Sequence, residues 1–287
     1  MSREKFIVIF FLVIALVAIT MYISMGKRRE EGKPALVLSP VKRLRIVVVV
    51  DNNPGDPKLE TAWGVSMYIE ADAISILFDT GPSPEVLERN AETLGLDFKK
   101  LDFVFISHEH MDHAGGLPYI ASLGNFKVYV PSGTSLSGYV RDLGLTPVEV
   151  SEPTEITPGV ASTGPLRGPP TEQSMIVYVE GRGAVVITGC SHPKIERIVR
   201  LVHELTGLQV YMVIGGFHLG GASTSRLEEI AKTFKELGVS HVFPIHCTGD
   251  TARAFFEKTL GDVYKDGHVG LEVIVSKEEF EVRHYPE

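Results

Sequence analysis

Three histidines and one aspartate fall within six residues in "HEHMDH": His108, His110, Asp112 and His113. Imidazole and carboxylate donors together suit Zn²⁺, with Mn or Fe as alternatives. His108 and His110 are two apart, so an extended backbone points both the same way. Asp112 and His113 then fall at the turn into the next helix. Four donors packed this closely are enough to serve two divalent metal ions. Three more histidines follow a shared pattern of apolar run, small residues, then histidine. They are His192 in "ITGCSHP", His218 in "IGGFHLGG" and His246 in "FPIHCTGD". A lone histidine at a strand end is ordinarily just a hydrogen-bonded residue. Four strand ends that each present one are different, because strand ends gather at one edge of an open α/β sheet, where sites form.

The remaining histidines read as structural. His203 lies on a helix and is expected in solvent. His241 has the opposite parity to His246 on one strand and faces away. His268 and His284 belong to the tail. The two cysteines, Cys190 and Cys247, imply no disulfide framework. Each adjoins a histidine, in "GCSH" and "HCTG". They read either as small buried residues at strand ends or as thiols beside a metal.

The elements that must position these residues can be read from periodicity. "RLRIVVVVD" (43–51) is a short β-branched run, which suits a strand buried on both faces. "GVSMYIE" and "ISILFDTG" read as a strand pair turning near Ala71 and Asp72, and 84–94 as a helix after Pro84. The strand 101–108 leads into the histidine cluster, followed by a helix over 113–123, the strand "KVYV" and a Gly/Ser-rich stretch over 131–142. Residues 151–171 carry many prolines and glycines, and suit a long loop or short strands with turns. Strands at 174–180, 184–189, 209–214, 241–246 and 271–276 then alternate with helices at 193–206, 223–237 and 249–259. The pattern predicts two α/β halves, sheet against sheet with helices outside.

Apolar residues make up 44% of the 287-residue chain and charged residues 22%, with a formal charge of −8. Acidic balance without a long basic run argues against nucleic acid as a partner and leaves a small anionic substrate open. There is no Walker loop and no dinucleotide fingerprint, so nucleotide cofactors are not indicated. Residues 6–25, "FIVIFFLVIALVAITMYISM", carry no charge. At about 1.5 Å per residue they span a ~30 Å hydrocarbon core. Residues 1–25 therefore read as an uncleaved single-pass membrane anchor, with 26–42 as a linker and 43–287 as the catalytic domain. The basic flank of Lys27, Arg28, Arg29 and Lys33 favours the cytoplasmic side for that domain.

"HEHMDH", with "FDTG" (78–81) shortly before it, resembles the metallo-β-lactamase superfamily. The stretches "TEQSMIVYVEGRGAVVITGCSHPKIERIV", "VIGGFHL" and "PIHCTG" resemble one branch of it, the metal-dependent hydrolases and archaeal dihydropterin–ribofuranosylaminobenzene phosphate synthases. The similarity covers roughly residues 44–276. It implies an αββα sandwich, preceded here by the N-terminal transmembrane helix, with a one- or two-metal site at the sheet edge. His108 and His110 match the first-metal ligands, Asp112 and His113 the second-metal side, and His246 the final metal histidine. Asp79 matches an early aspartate that supports the site by hydrogen bonding. The family pattern has another histidine before the bridging residue, yet none lies between His113 and His192. The resemblance therefore implies that His192 completes the first metal's shell. The usual bridging aspartate falls near Cys190, so either Cys190 ligates as thiolate or water bridges and the thiol is a bystander. His218 is implied as proton donor to the leaving group or as a supporting residue.

Two metals would supply hydroxide near neutral pH and clamp anionic oxygens. Asp112 would orient that hydroxide or receive its proton. Three functions follow. A hydrolase would cleave a phosphodiester, lactone or thioester. A synthase would hold a leaving diphosphate while an arene attacks the pterin methylene. A non-catalytic, membrane-tethered metal sensor would be expected to lack ligands. The leading specific candidate is the pterin synthase. Oligomeric state is not legible.

Overall fold

The valine run that opens the domain forms β1 (Arg43–Val50), and its alternate side chains enter two different cores. Ile46 and Val48 point between two sheets, while Val47 and Val49 face an outer helical layer. This double burial is why the run is apolar throughout rather than alternating. The structure is a computed structural model that describes residues 36–286.

The first sheet has the order β14-β13-β1-β2-β3-β4-β5-β6. Its further strands are β2 (Ser66–Ala71), β3 (Ile74–Phe78), β4 (Phe103–Phe105), β5 (Lys127–Pro131), β6 (Thr146–Val150), β13 (Leu271–Ser276) and β14 (Phe280–His284). The second has the order β12-β11-β10-β9-β8-β7. Its strands are β7 (Thr154–Thr157), β8 (Val160–Ser162), β9 (Met175–Val179), β10 (Gly183–Thr188), β11 (Val210–Gly216) and β12 (His241–Ile245). Phe78, Phe105, Met175, Ile187, Ile214 and Phe243 meet between the sheets. Outside the first sheet lie α1 (Pro84–Thr93), α2 (Met111–Ala114), α3 (Leu117–Leu123) and α4 (Leu136–Asp142). α5 (Ile195–Thr206), α6 (Thr224–Glu236) and α7 (Asp250–Leu260) belong to the second sheet's side. The result is an αββα sandwich.

Several expectations change. The two halves are not separate, because β13 and β14 return from the C-terminal end to extend the first sheet. The Gly/Ser-rich stretch holds α4, whose Leu136 and Val140 enter the outer core. The helix expected over 113–123 is two helices broken at Gly115 and Gly116. A Cβ at Gly115 would lie 2.2 Å from the Pro82 carbonyl oxygen, and one at Gly116 2.2 Å from that of Thr80. The pair lets the histidine turn dock directly on the 79–82 loop.

The membrane anchor and the cytoplasmic placement derived from it are corrected. Among the described residues no helix is long and apolar enough to cross a membrane. The longest of the described helices, α6, has 13 residues, about 20 Å against the ~30 Å of a hydrocarbon core. The segment 6–25, on which the anchor rested, lies outside the described residues.

The loop leaving β1 runs toward the histidine cluster and is pinned by Asn90 of α1. The Asn90 amide donates to the Val49 and Glu60 carbonyls, both at 2.8 Å, and accepts from Glu60 N at 2.8 Å. At roughly 1 kcal/mol per hydrogen bond, Asn90→Ala is expected to lower stability by about 2–3 kcal/mol. A urea denaturation midpoint that does not move would contradict this assignment.

Candidate metal centre

The carboxyl ends of β1, β3 and β4 in one sheet, and of β10, β11 and β12 in the other, deliver the polar residues to one edge. β1 yields Asp51 and Asn52, β3 yields Asp79, and β4 leads to Ser107 and His108. β10 leads to Cys190 and His192, β11 to His218, and β12 to His246. Across the gap, His113 Nε2 lies 3.2 Å from Cys190 Sγ, which joins the two sheets' contributions.

Four imidazoles are each anchored through Nδ1. Asp79, fully buried, accepts from Ser107 N at 2.6 Å, Ser107 Oγ at 2.7 Å and His113 Nδ1 at 2.7 Å. The single Ser107 hydroxyl proton is thus committed to Asp79. Its oxygen can only accept from His108 Nδ1, 2.9 Å away. Glu172 does the same for His192, whose Nδ1 lies 2.9 Å from Oε2. Asn52 Oδ1 holds His246 Nδ1 at 2.9 Å, while Asn52 Nδ2 donates to the His246 carbonyl at 3.4 Å. In every case the Nε2 lone pair is left facing the centre.

The donors form two groups at the heart of the edge, and a third joins Cys190 to His218 and Cys247. His108, His110 and His192 offer ligand atoms within 4.8 Å of one another, and so do Asp112, His113, Cys190 and His246. Donors bonded at about 2.0–2.3 Å to one ion lie up to roughly 4 Å apart. Each group is therefore of a size that small side-chain shifts would close on a single ion. His108 Nε2 and His246 Nε2 are buried and have no hydrogen-bond partner. Asp112 Oδ2 is 3.3 Å from the latter but too poorly aligned to bond. Orphaned buried nitrogens are costly, and a cation held in each group would satisfy both.

Burial pushes the His108 and His113 pKa values down to about 3, with neighbouring imidazolium charge adding to the effect. Both are therefore neutral near pH 7, the form that binds metal. Burial also pushes Asp79 up to about 7, against His108 and the Ser107 donors. For Glu172, burial is outweighed by the hydrogen bond from His192, the charge of His108 and the amide donors, so it lies well below the usual carboxylate range.

A model of the metallo-beta-lactamase superfamily matches residues 64–232. The chain belongs to the metallo-β-lactamase superfamily. Among solved structures in it, one described as a metal-dependent hydrolase of the β-lactamase superfamily is 31% identical with a TM-score of 0.69. That match covers 81% of this chain and 99% of the other. The 7,8-dihydropterin-6-methyl-4-(β-D-ribofuranosyl)-aminobenzene-5'-phosphate synthase of Methanocaldococcus jannaschii is 28% identical, covering 81% of this chain and 97% of its own. The metallo-β-lactamase fold protein YhfI of Bacillus subtilis, 14% identical with a TM-score of 0.63 and coverage of 82% and 100%, shares the fold.

Within this superfamily fold, the sequence-derived residues His108, His110, Asp112, His113, His192 and His246 come together at one edge, with Asp79 beneath them. Cys190 belongs to the Asp112 group and is shared with His218 and Cys247. His218 is exposed and lies beside them, its ring 4.6 Å from that of His192. A hydrogen bond with Cys247 raises its pKa above the ordinary value, with burial opposing. His241 is elsewhere, stacked on Phe280 at 3.7 Å. His203 is exposed, and His268 pairs with His284 at 2.7 Å.

Sequence reasoning missed Glu172, Ser107, Asn52 and Asp51. Glu172 is the most consequential. Fully buried, it accepts from the backbone of Cys190 (2.9 Å), Ser191 (2.8 Å) and His192 (2.8 Å), from Thr188 Oγ1 (3.2 Å) and from the His192 ring. The available signal was an acidic residue beside a buried strand in "PPTEQSMIVYV", in the very interval that lacks the expected histidine. Asp51 accepts from His246 N at 2.8 Å.

Glu172→Gln keeps the shape but puts an amide donor where only acceptors fit. It is expected to weaken metal affinity about 10–100-fold, read by competition with a chelating dye alongside an unchanged far-UV spectrum. Unaltered affinity would remove Glu172 from the site. The depressed histidines also set a pH dependence. Between about pH 6.5 and 3 the unfolded chain binds protons that His108 and His113 refuse in the folded state. Stability of the chelator-treated protein therefore rises with pH across this window. Denaturant midpoints equal at pH 4 and pH 7 would refute it.

Proposed function

We propose that this protein is a metal-dependent enzyme, a hydrolase or transferase acting on a phosphorylated or otherwise anionic small molecule. The observation that carries this reading is the pair of adjacent donor groups, four of whose five imidazoles are anchored at Nδ1 and turned inward at Nε2. His108, His110 and His192 would hold one divalent ion, and Asp112, His113 and His246 a second, with zinc favoured by the nitrogen-rich set and Mn or Fe as alternatives. Bound ions supply hydroxide at neutral pH and neutralise anionic oxygens of the substrate.

The chain's own residues do the rest. Asp112 is half-buried, with Oδ2 3.3 Å from His246 Nε2 and 3.6 Å from His113 Nε2. Its close contacts with these histidines outweigh burial and keep it ionised. It is placed to orient the attacking water or take its proton. His218 is exposed on the His192 side, with its raised pKa favouring the protonated form that a leaving group needs. Cys190 Sγ is close enough to the second ion's donors to ligate. As a soft thiol it would suit a hard divalent ion less well than a carboxylate would, which favours Cys190 as a bystander.

The leading specific activity is that of the dihydropterin–ribofuranosylaminobenzene phosphate synthase, supported by the Methanocaldococcus relative that the chain matches over 97% of its length. Phosphodiester, lactone or thioester hydrolysis is the second reading, supported by the relative described as a metal-dependent hydrolase. The full donor set favours either over a non-catalytic sensor. His108→Ala and His246→Ala are each expected to lose bound metal and lower turnover by more than about 100-fold, beyond what loss of a supporting residue costs. Metal analysis and parallel assays of phosphodiester hydrolysis and dihydropterin diphosphate condensation read both. Full metal occupancy in both variants would defeat the reading.

A further inference from the structure

Among the described residues three large apolar side chains stand exposed, and two of them border the metal centre: Trp63 at 62% and Met111 at 54%. Scattered exposed apolar residues need no explanation. Two beside one polar centre do, because the exposure is maintained where a ligand would cover it. The Trp63 ring lies 4.9 Å from the His246 ring at 56°. His246 is itself buried, and its unpartnered Nε2 faces the centre. Whatever is bound there has the indole as its neighbour.

The loop carrying Trp63 is fastened on both sides. Ala62 N donates to the Asp51 carbonyl at 3.1 Å, and Val65 N to the Asp112 carbonyl at 3.2 Å. Gly64 has no room for a side chain, since its Cβ would fall 2.4 Å from the Asp112 oxygen. Trp63 and Met111 thus sit one residue to either side of a backbone contact between their loops. A backbone fixed in this way costs little further ordering when a ligand meets the ring. Its face is broad, flat and electron-rich, and offers no hydrogen-bond code beyond one N–H.

We propose that Trp63 is a stacking platform that selects substrates carrying a planar aromatic or heteroaromatic ring next to the anionic group held at the metal centre. This rests on the metal-centre reading above and adds the chemical class of the substrate's other half. Met111, exposed and next to Asp112 in the chain, adds a second apolar side chain near the centre.

The chain has one tryptophan, so its fluorescence reports on this platform alone. The metal-loaded full chain is titrated with phenylphosphonate, cyclohexylphosphonate and methylphosphonate, with fluorescence and calorimetry in parallel. Phenylphosphonate is expected to bind about tenfold more tightly than methylphosphonate, in line with aromatic pairing, to exceed cyclohexylphosphonate, and to change Trp63 emission. In Trp63→Ala the phenyl-to-methyl ratio should collapse to near one with methylphosphonate affinity unchanged, and Trp63→Phe should retain most of it. A ratio that survives in Trp63→Ala, or cyclohexylphosphonate binding as tightly as phenylphosphonate, overturns the proposal. Methylphosphonate binding that is insensitive to chelation would instead count against the metal-centre reading, while a Trp63-dependent phenyl preference would still support the platform.

Discussion

Everything at the site depends on buried carboxylates that accept hydrogen bonds from histidine Nδ1. A buried anion without partners is among the most costly features a fold can carry. Glu172 avoids that cost by saturation with five donors, while the three donors on Asp79 offset only part of it. The same bonds fix the tautomer and orientation of His113 and His192 directly, and of His108 through Ser107. One carboxylate is supplied by the first sheet and the other precedes β9 of the second, while His246 of the second sheet is held across the gap by Asn52 and Asp51 of the first.

That arrangement is held in a backbone under local strain. Of six non-glycine residues with left-handed φ among those described, Asp79, Ser191, Lys194, His218 and His246 lie at or beside the centre, and only Asp72 occupies an ordinary turn. Such conformations cost of order 1–3 kcal/mol each and persist where surroundings enforce them. Here the enforcement is visible. Thr80 N donates to the His113 carbonyl at 2.6 Å, and His246 N to Asp51 at 2.8 Å. Gly216 leaves the space that Cys247 Sγ needs, since a Cβ would come within 2.7 Å of it. The centre is fixed by the fold itself, which is what a site positioned by strand ends rather than free loops provides.

The superfamily fold hosts many chemistries. The interior of the centre, built of imidazole and carboxylate, determines what it can hold. The choice of substrate lies in its rim, where exposed Trp63 and Met111 on one side contrast with His218 and Lys194 on the other. These rim residues bear no structural duty in the core, so their chemistry is free to follow the ligand.

The six clustered histidines and aspartates, the strand runs that carry them and the layered α/β class were legible in the sequence. Each depends on local facts: donor type, spacing and the period of apolar residues. His192 was legible as a donor because it repeats the strand-then-histidine pattern of the others, and His241 was separable by parity alone. The return of β13 and β14 to the first sheet was not legible, because pairing partners are chosen by which edge is free and not by the strand's own composition. Nor was α4, whose Gly- and Ser-rich sequence is overridden by the burial of Leu136 and Val140. Glu172 lies in an irregular stretch with no periodicity, and only the fold brings it beneath His192. The exposure of Trp63 is likewise a tertiary matter. A tryptophan in sequence predicts burial, and its place at the mouth follows from how two loops meet across Gly64 and Asp112.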